Sequence, residues 1–329
     1  MTGRQQERAP SEDSADLVAR AGSISVLYVG GMPRSGSTLT DMMLHQLPGN
    51  VGVGELHYLW RNCLQLDNLC ACGEPFSRCE FWTAVGLKAF GGWDNVDPAE
   101  VLRLQSQVDT TRAIPLILLP RRPRAFQQSL DAYCSILLQL YRAILDVSGE
   151  QVVVDSSKRA SLAFVLATMS DIDVRAVQVV RDPRGVAYSF GKHVALEPGV
   201  GSGDEMPRST ARKVARRWVT VNALIAGLPR RGVPTTRIRY EDLVADPMAQ
   251  LRRIMALQGH DPGAEDLGFV TVDGVSMRPS HLIAAGRIRL GSGTMALRLD
   301  EAWRTQMDRR SRRLVGALTT FTRLRYGYR

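Results

Sequence analysis

Lysine is almost missing from this chain of 329 residues. Only Lys88, Lys158, Lys192 and Lys213 occur, although Lys and Arg together number 42. Arginine therefore carries the positive excess, 42 basic residues against 33 acidic, a net +9. Arginine grips phosphate and sulfate through a bidentate fork, so the excess suits an anionic ligand. A GC-rich genome would produce the same bias. Zinc-finger spacing and aromatic-interleaved RNP-like strands are both absent, so no nucleic acid partner is expected. No apolar run reaches about 18 residues, which argues against a transmembrane helix. The opening MTGRQQERAPSEDSAD has no apolar stretch of the kind a secretory signal needs, so a cytoplasmic location is expected. Hydrophobic residues make up 44% and charged residues 23%, which excludes global disorder and allows a sizeable core.

Cysteine is also scarce, with five in all, yet Cys63, Cys70, Cys72 and Cys79 crowd together as C-x6-C-x-C-x6-C. Zinc sites usually show C-x2-C pairs, and this spacing does not match. A local disulfide or a plain buried cluster is the expectation, and no metal site is assigned. Cys134 stands apart.

The length allows two domains or one α/β domain with insertions. Residues 1 to 22 read as a disordered tail. The apolar run Ile24 to Val29, closed by Gly30-Gly31, reads as a buried strand. Thr38 to Leu47 has helical spacing and is stopped by Pro48-Gly49. Val51 to Leu56 is a second strand. Residues 60 to 150 read as a helical insertion holding the cysteines. Further strands are expected at 151–154, 174–180 and 235–240. Helices are expected at 159–169, 184–193, 208–228, 241–258 and 300–326. The stretch 197–207 reads as a Gly/Pro-rich loop, and 268–299 as irregular and basic. This alternation predicts an α/β fold: a P-loop-like parallel sheet flanked by helices, with a helical insertion, in a single domain over 23–329.

Gly31-Met-Pro-Arg34-Ser35-Gly36-Ser37-Thr38 lies between the first strand and helix. Its frame is G-x-x-x-x-G-x-T, that of a phosphate-binding loop with Ser37 at the lysine position. Backbone N–H groups at a helix start can still cradle a phosphate. ATP hydrolysis is disfavoured without the loop lysine.

PRSGSTL after an apolar strand resembles the 5′-phosphosulfate loop of sulfotransferases that use 3′-phosphoadenosine-5′-phosphosulfate (PAPS). The resemblance extends over about residues 24 to 329 and is strongest to bacterial relatives of the tyrosylprotein and carbohydrate enzymes. It implies that Arg34, Ser35, Gly36, Ser37, Thr38 and Leu39 hold the 5′-phosphate. Val180-Arg181-Asp182-Pro183 through Ser189 resembles the family's 3′-phosphate motif, with Arg181 and Ser189 as contacts. Lys158, in Val154-Asp-Ser-Ser-Lys158, matches a lysine on the phosphosulfate. Tyr240, in Arg239-Tyr-Glu-Asp-Leu243, matches a nucleotide contact. HLIAAGRIR at 281–289 lies where relatives carry Gly-Asn-x-x-Arg, but Arg287 follows Gly286 here, so Arg287 and Arg289 receive no role. Asp300 to Trp303 and Arg325 to Tyr328 are assigned only packing.

Glu55 falls where the family has its acid–base glutamate. His57 is the rival base, since the cytosolic branch uses a histidine, and His193 and His281 follow it. The implied reaction moves a sulfuryl group from PAPS to an acceptor hydroxyl, phenol or amine and leaves PAP, with no metal. The acceptor is expected to be a small molecule, lipid or glycan. Two other readings stay open: a P-loop nucleotide kinase, and a non-catalytic PAP-binding protein.

Overall fold

The computed structural model describes residues 23–193, 208–260, 263, 265–283 and 293–329. The tail at 1–22, the whole 197–207 loop with residues 194–196 before it, and Gly286, Arg287 and Arg289 lie outside the described residues.

Five strands form one parallel sheet: β1 (Ile24–Gly31), β2 (Asn50–Gly54), β3 (Val152–Lys158), β4 (Ile172–Val180) and β5 (Thr235–Arg239), in the order β2-β3-β1-β4-β5. All four pairings are parallel. Successive side chains of a strand point to opposite faces. Along β1, Leu27 and Val29 pack with Met42, Met43, Val177 and Ile254 on one face. Val26 and Tyr28 pack on the other with Trp60, Leu137, Ile144 and Ile225. Both faces are thus apolar and covered, which is what a parallel sheet requires.

The segment after β2 is largely helical, with Glu80–Phe90, Pro98–Val108, Ile114–Ile117 and Arg124–Ser148. The last of these buries Tyr133, Leu137, Leu140, Tyr141 and Ile144 on one stripe. No disulfide joins any of the five cysteines, so of the two expectations, a local disulfide or a buried cluster, the disulfide is not formed.

Several boundaries differ from expectation. The helix expected at 241–258 is two, Tyr240–Ala245 and Pro247–Leu257, because Asp246 caps the second through Ala249 N–H and Pro247 opens it. The helix expected at 300–326 likewise divides into Trp303–Gln306 and Arg309–Arg325, the second capped by Asp308. Strand β3 runs four residues beyond the apolar Val154, because Asp155, Ser156 and Ser157 are buried with side-chain partners. The region read as irregular holds an antiparallel sheet of β6 (Val270–Thr271), β7 (Gly274–Met277) and β8 (Gly293–Met295). None of its strands exceeds four residues, too short for a period-two pattern to stand out.

Candidate active site

In a parallel sheet the carboxyl ends of the strands share one edge, and ligands bind there. Arg34 to Leu39 follow β1, Glu55 follows β2, Lys158 closes β3, Arg181 follows β4 and Tyr240 follows β5. Five segments spread over 200 residues of sequence therefore reach the same rim. Register sharpens this: Lys158 is the Cα partner of Gly30, at the base of the loop.

The loop turns through Ser35 N–H, which donates to Met32 O at 3.2 Å. Helix Ser37–Leu44 then starts from Gly36, whose φ is +93°. A side chain there would be strained, and its Cβ would stand 2.6 Å from the Tyr240 ring. Ser35 is fully buried, yet its Oγ has no hydrogen-bond partner among the described residues. Ser37 is buried and Thr38 half-buried at the helix start. The Leu39 side chain belongs to the core, so only its backbone can serve a ligand.

Glu55 and Lys158, 103 residues apart, form an ion pair of 2.6 Å with both side chains about nine-tenths covered. Three described non-glycine residues have positive φ, and two are at this rim: Arg34 (+71°) and Lys158 (+65°). The backbone pays for that conformation, and such costs gather where a side chain must be aimed. β-Bulge-like register shifts lie just before both ends of the pair, between Gly52 and Gly54 and between Tyr28 and Gly30.

Arg181 is buried at 7% exposure. Its guanidinium donates to Arg34 O at 3.2 Å and Asp300 O at 2.8 Å, and lies 4.5 Å over the Tyr240 ring. The carboxylate of Asp300 is 3.2 Å away. The loop, Arg181 and Tyr240 thus touch one another. Asp300, given only a packing role from sequence, is a direct partner of Arg181. Asp182 caps helix Pro183–Gly191 through Arg184 N–H at 2.8 Å. Ser189 sits half-buried in the last turn of that helix.

The rival histidines have other partners. His57 is buried, with Nδ1 2.7 Å from Asp109 Oδ2, and its backbone N–H donates to Ser157 Oγ. His193 pairs with Arg208. His281 Nδ1 faces the sulfurs of Cys79 and Cys70.

Sequence reading missed the carboxyl beneath the rim. Asp41 is fully buried, and its Oδ2 accepts from Gly54 N–H at 3.1 Å and from Ser156 Oγ. It thereby joins the residue before Glu55 to the strand carrying Lys158. Burial pushes its pKa up to about 8, and that of neighbouring Asp155 to about 6. A polar residue in the apolar row Leu39-Thr40-Asp41-Met42-Met43 was the only signal available. The raised value has a consequence for stability. Above pH about 4 the unfolded chain has lost this proton while the folded chain keeps it up to about 8, so this group's contribution falls as pH rises through that window. Asp41→Asn keeps the shape and both accepted hydrogen bonds but cannot ionise. Its unfolding free energy is expected to gain on the parent's steadily from pH 5 to pH 8, by at most about 1.4 kcal/mol per pH unit. Thermal melts with a pH-independent gap would show that Asp41 is ionised in the fold.

A cavity of about 280 Å³, lined by Ile117, Phe164, Thr168 and Arg231 among others, lies at the opposite, amino-terminal edge of the sheet, away from these residues. No helix among the described residues is long and apolar enough to cross a membrane.

The fold is thus α/β, a five-stranded parallel sheet with helices on both faces and a charged rim at its carboxyl edge. No family model matches the chain, and no curated protein does. Among solved structures it is similar to the sulfotransferase domain of the Synechococcus PCC 7002 olefin synthase, at 20% identity over 97% of this chain and 98% of that one, TM-score 0.47. It is similar to the sulfotransferase domain from the curacin biosynthetic pathway, at 18% identity over 94% and 99%, TM-score 0.47. A third is retinol dehydratase in complex with retinol and PAP, at 14% identity over 95% and 85%, TM-score 0.36.

Proposed function

We propose that the chain is a sulfotransferase that moves a sulfuryl group from PAPS to an acceptor hydroxyl, phenol or amine. The observation that carries this reading is the Glu55–Lys158 ion pair, held at the carboxyl edge beside the phosphate-type loop. The surrounding residues suit a bisphosphorylated nucleotide. Buried Ser35 Oγ is unpartnered among the described residues, Gly36 leaves the close approach that only glycine allows, and Arg181 presents a fixed cationic fork. Arg34 to Leu39 would hold the 5′-phosphate, Arg181 and Ser189 the 3′-phosphate, and Tyr240 the nucleoside. When bound, PAPS supplies the sulfuryl group and leaves as PAP.

The chain's own residues then divide the work. Glu55 Oε takes the acceptor proton. Lys158 has three N–H donors and Glu55 uses one, so the ammonium can hold the base in place and still face charge growing on the leaving oxygen. Loop amides and Arg34 share that charge.

A kinase reading needs a carboxylate free to hold Mg²⁺ beside the loop. Asp41 is committed to Gly54 and Ser156 and retains its proton near neutral pH, and Glu55 is committed to Lys158. Sulfuryl transfer is therefore expected to run at full rate without added Mg²⁺, with ATP giving no turnover. The test is a panel of phenols, alcohols, amines, lipids and glycans with labelled PAPS. Label transfer dependent on Mg²⁺, or from ATP in place of PAPS, would overturn the proposal. PAP binding without transfer to any acceptor would make the chain a nucleotide-binding protein instead.

A further inference from the structure

The cysteine cluster is organised in a way its spacing conceals. Cys63 takes no part; it is buried in the core. The other three cysteines converge on a residue from the far end of the chain, His281. The ligand atoms of Cys70, Cys72, Cys79 and His281 all lie within 4.8 Å of one another. Cys70 to Cys79 is 3.6 Å, Cys72 to Cys79 is 3.7 Å, and His281 Nδ1 is 3.2 Å from Cys79 and 3.7 Å from Cys70. Zinc with Zn–S of about 2.3 Å and Zn–N of about 2.0–2.1 Å has tetrahedron edges of about 3.8 Å between sulfurs and about 3.6 Å from sulfur to nitrogen. A disulfide needs about 2.0 Å, and one disulfide would still strand the third thiol.

The supports around the four atoms agree. Cys70 and Cys72 sit on a tight turn closed by Gly73 N–H to Cys70 O at 3.0 Å and Cys70 N–H to Glu74 O at 2.8 Å. Gly73 takes φ +93° there. Cys79 is the residue that starts helix Glu80–Phe90, where aligned N–H dipoles favour a thiolate. The His281 ring stacks on Phe81 at 4.8 Å and 12°, and its carbonyl accepts from Trp82 Nε1 at 2.9 Å. Such outer contacts fix a ligand's orientation.

We propose that Cys70, Cys72, Cys79 and His281 form a structural zinc site. Three thiolates and an imidazole are the soft donor set that selects zinc over Mg²⁺ or Ca²⁺. Four protein ligands close the coordination sphere, so the ion does no chemistry on the substrate. The sequence reading assigned no metal for want of a C-x2-C pair, and the proposal departs from it. The fourth ligand lies 202 residues after Cys79 and only folding brings it there.

The ion ties three segments together beside the proposed base. Ala71 N–H donates to Leu282 O at 3.1 Å, Ile283 N–H to Val53 O at 3.0 Å, and Glu55 N–H to Ile283 O at 3.0 Å. Holding His281 therefore holds the backbone that fixes Glu55.

The test uses the full chain, expressed with zinc and purified without chelator. Elemental analysis is expected to find about one zinc per chain. A mercurial should release it, and cobalt exchange should give the visible absorption of a tetrahedral thiolate site. Cys79→Ser should lose the metal, whereas Cys63→Ser and Cys134→Ser should keep it. If Cys79→Ser fails to fold, the parent's metal content and cobalt spectrum still decide. A folded, reduced parent that binds neither zinc nor cobalt, or an intact mass showing a Cys70–Cys79 disulfide, would overturn the site. No step of this test involves PAPS or an acceptor, so it stands or falls apart from the sulfuryl-transfer reading.

Discussion

Glu55→Gln is expected to lose about 10²–10⁴-fold in turnover, the range that a positioned general base contributes. Glutamine keeps the side chain's size and an oxygen that can accept from Lys158, but it cannot take the acceptor's proton. PAP affinity should hardly move, because no PAP contact is assigned to Glu55. Removing one member of a covered ion pair can itself cost several kcal/mol when the partner is stranded. Calorimetric PAP binding and a thermal melt on the variant separate that cost from lost catalysis. The rival outcome is equally specific. Near-wild-type turnover in Glu55→Gln together with an inactive His57→Ala would make the buried His57–Asp109 pair the base. Loss of PAP binding in Glu55→Gln would make the Glu55–Lys158 pair architectural.

The second large effect lies in nucleotide selectivity. The protein is expected to bind 3′,5′-bisphosphorylated adenosine at least about 100-fold more tightly than 5′-AMP, two charge-assisted contacts being worth about 1.5–3 kcal/mol each. The Arg181 guanidinium is held by two carbonyls, the Asp300 carboxylate and an aromatic face, so on the proposed function little rotamer freedom is lost when it meets the phosphate. Arg181→Ala should erase the preference and leave AMP binding nearly intact. Arg181→Lys keeps the charge without the fork and should fall between. Equal affinities of the parent for the two nucleotides, measured by calorimetry, would remove the 3′-phosphate assignment.

The parallel core was legible in the sequence because its strands are short apolar runs. Ile24 to Val29 and Val174 to Val180 carry their own signal, the first closed by a glycine pair and the second by Arg181. The loop from Arg34 and the residue Arg181 were legible for the same reason, since each follows such a run. What escaped were features made only by distant contact. Asp41 looks like an interruption of a helix stripe until Gly54 and Ser156 are seen to bond it. His281 carries no sign of its thiol partners. Asp300 opens a helix-like stretch and gives no hint of Arg181. The two broken helices show the reverse failure: Asp246-Pro247 and Asp308 were local signals strong enough to read, outweighed by the length of the helical pattern.

The span of chain between rim partners bears on how the protein comes to life. Glu55 waits for Lys158, Arg34 for Arg181 and Arg181 for Asp300, at separations of 103, 147 and 119 residues. Contacts so far apart in sequence raise contact order and form late, after the cost of closing long loops has been met. During synthesis, the β1 loop is made long before Lys158 and Arg181 reach it. A nascent or partly folded chain therefore lacks the assembled rim, and on the proposed function PAP added to a refolding mixture should slow unfolding without accelerating folding, acting on the finished molecule alone.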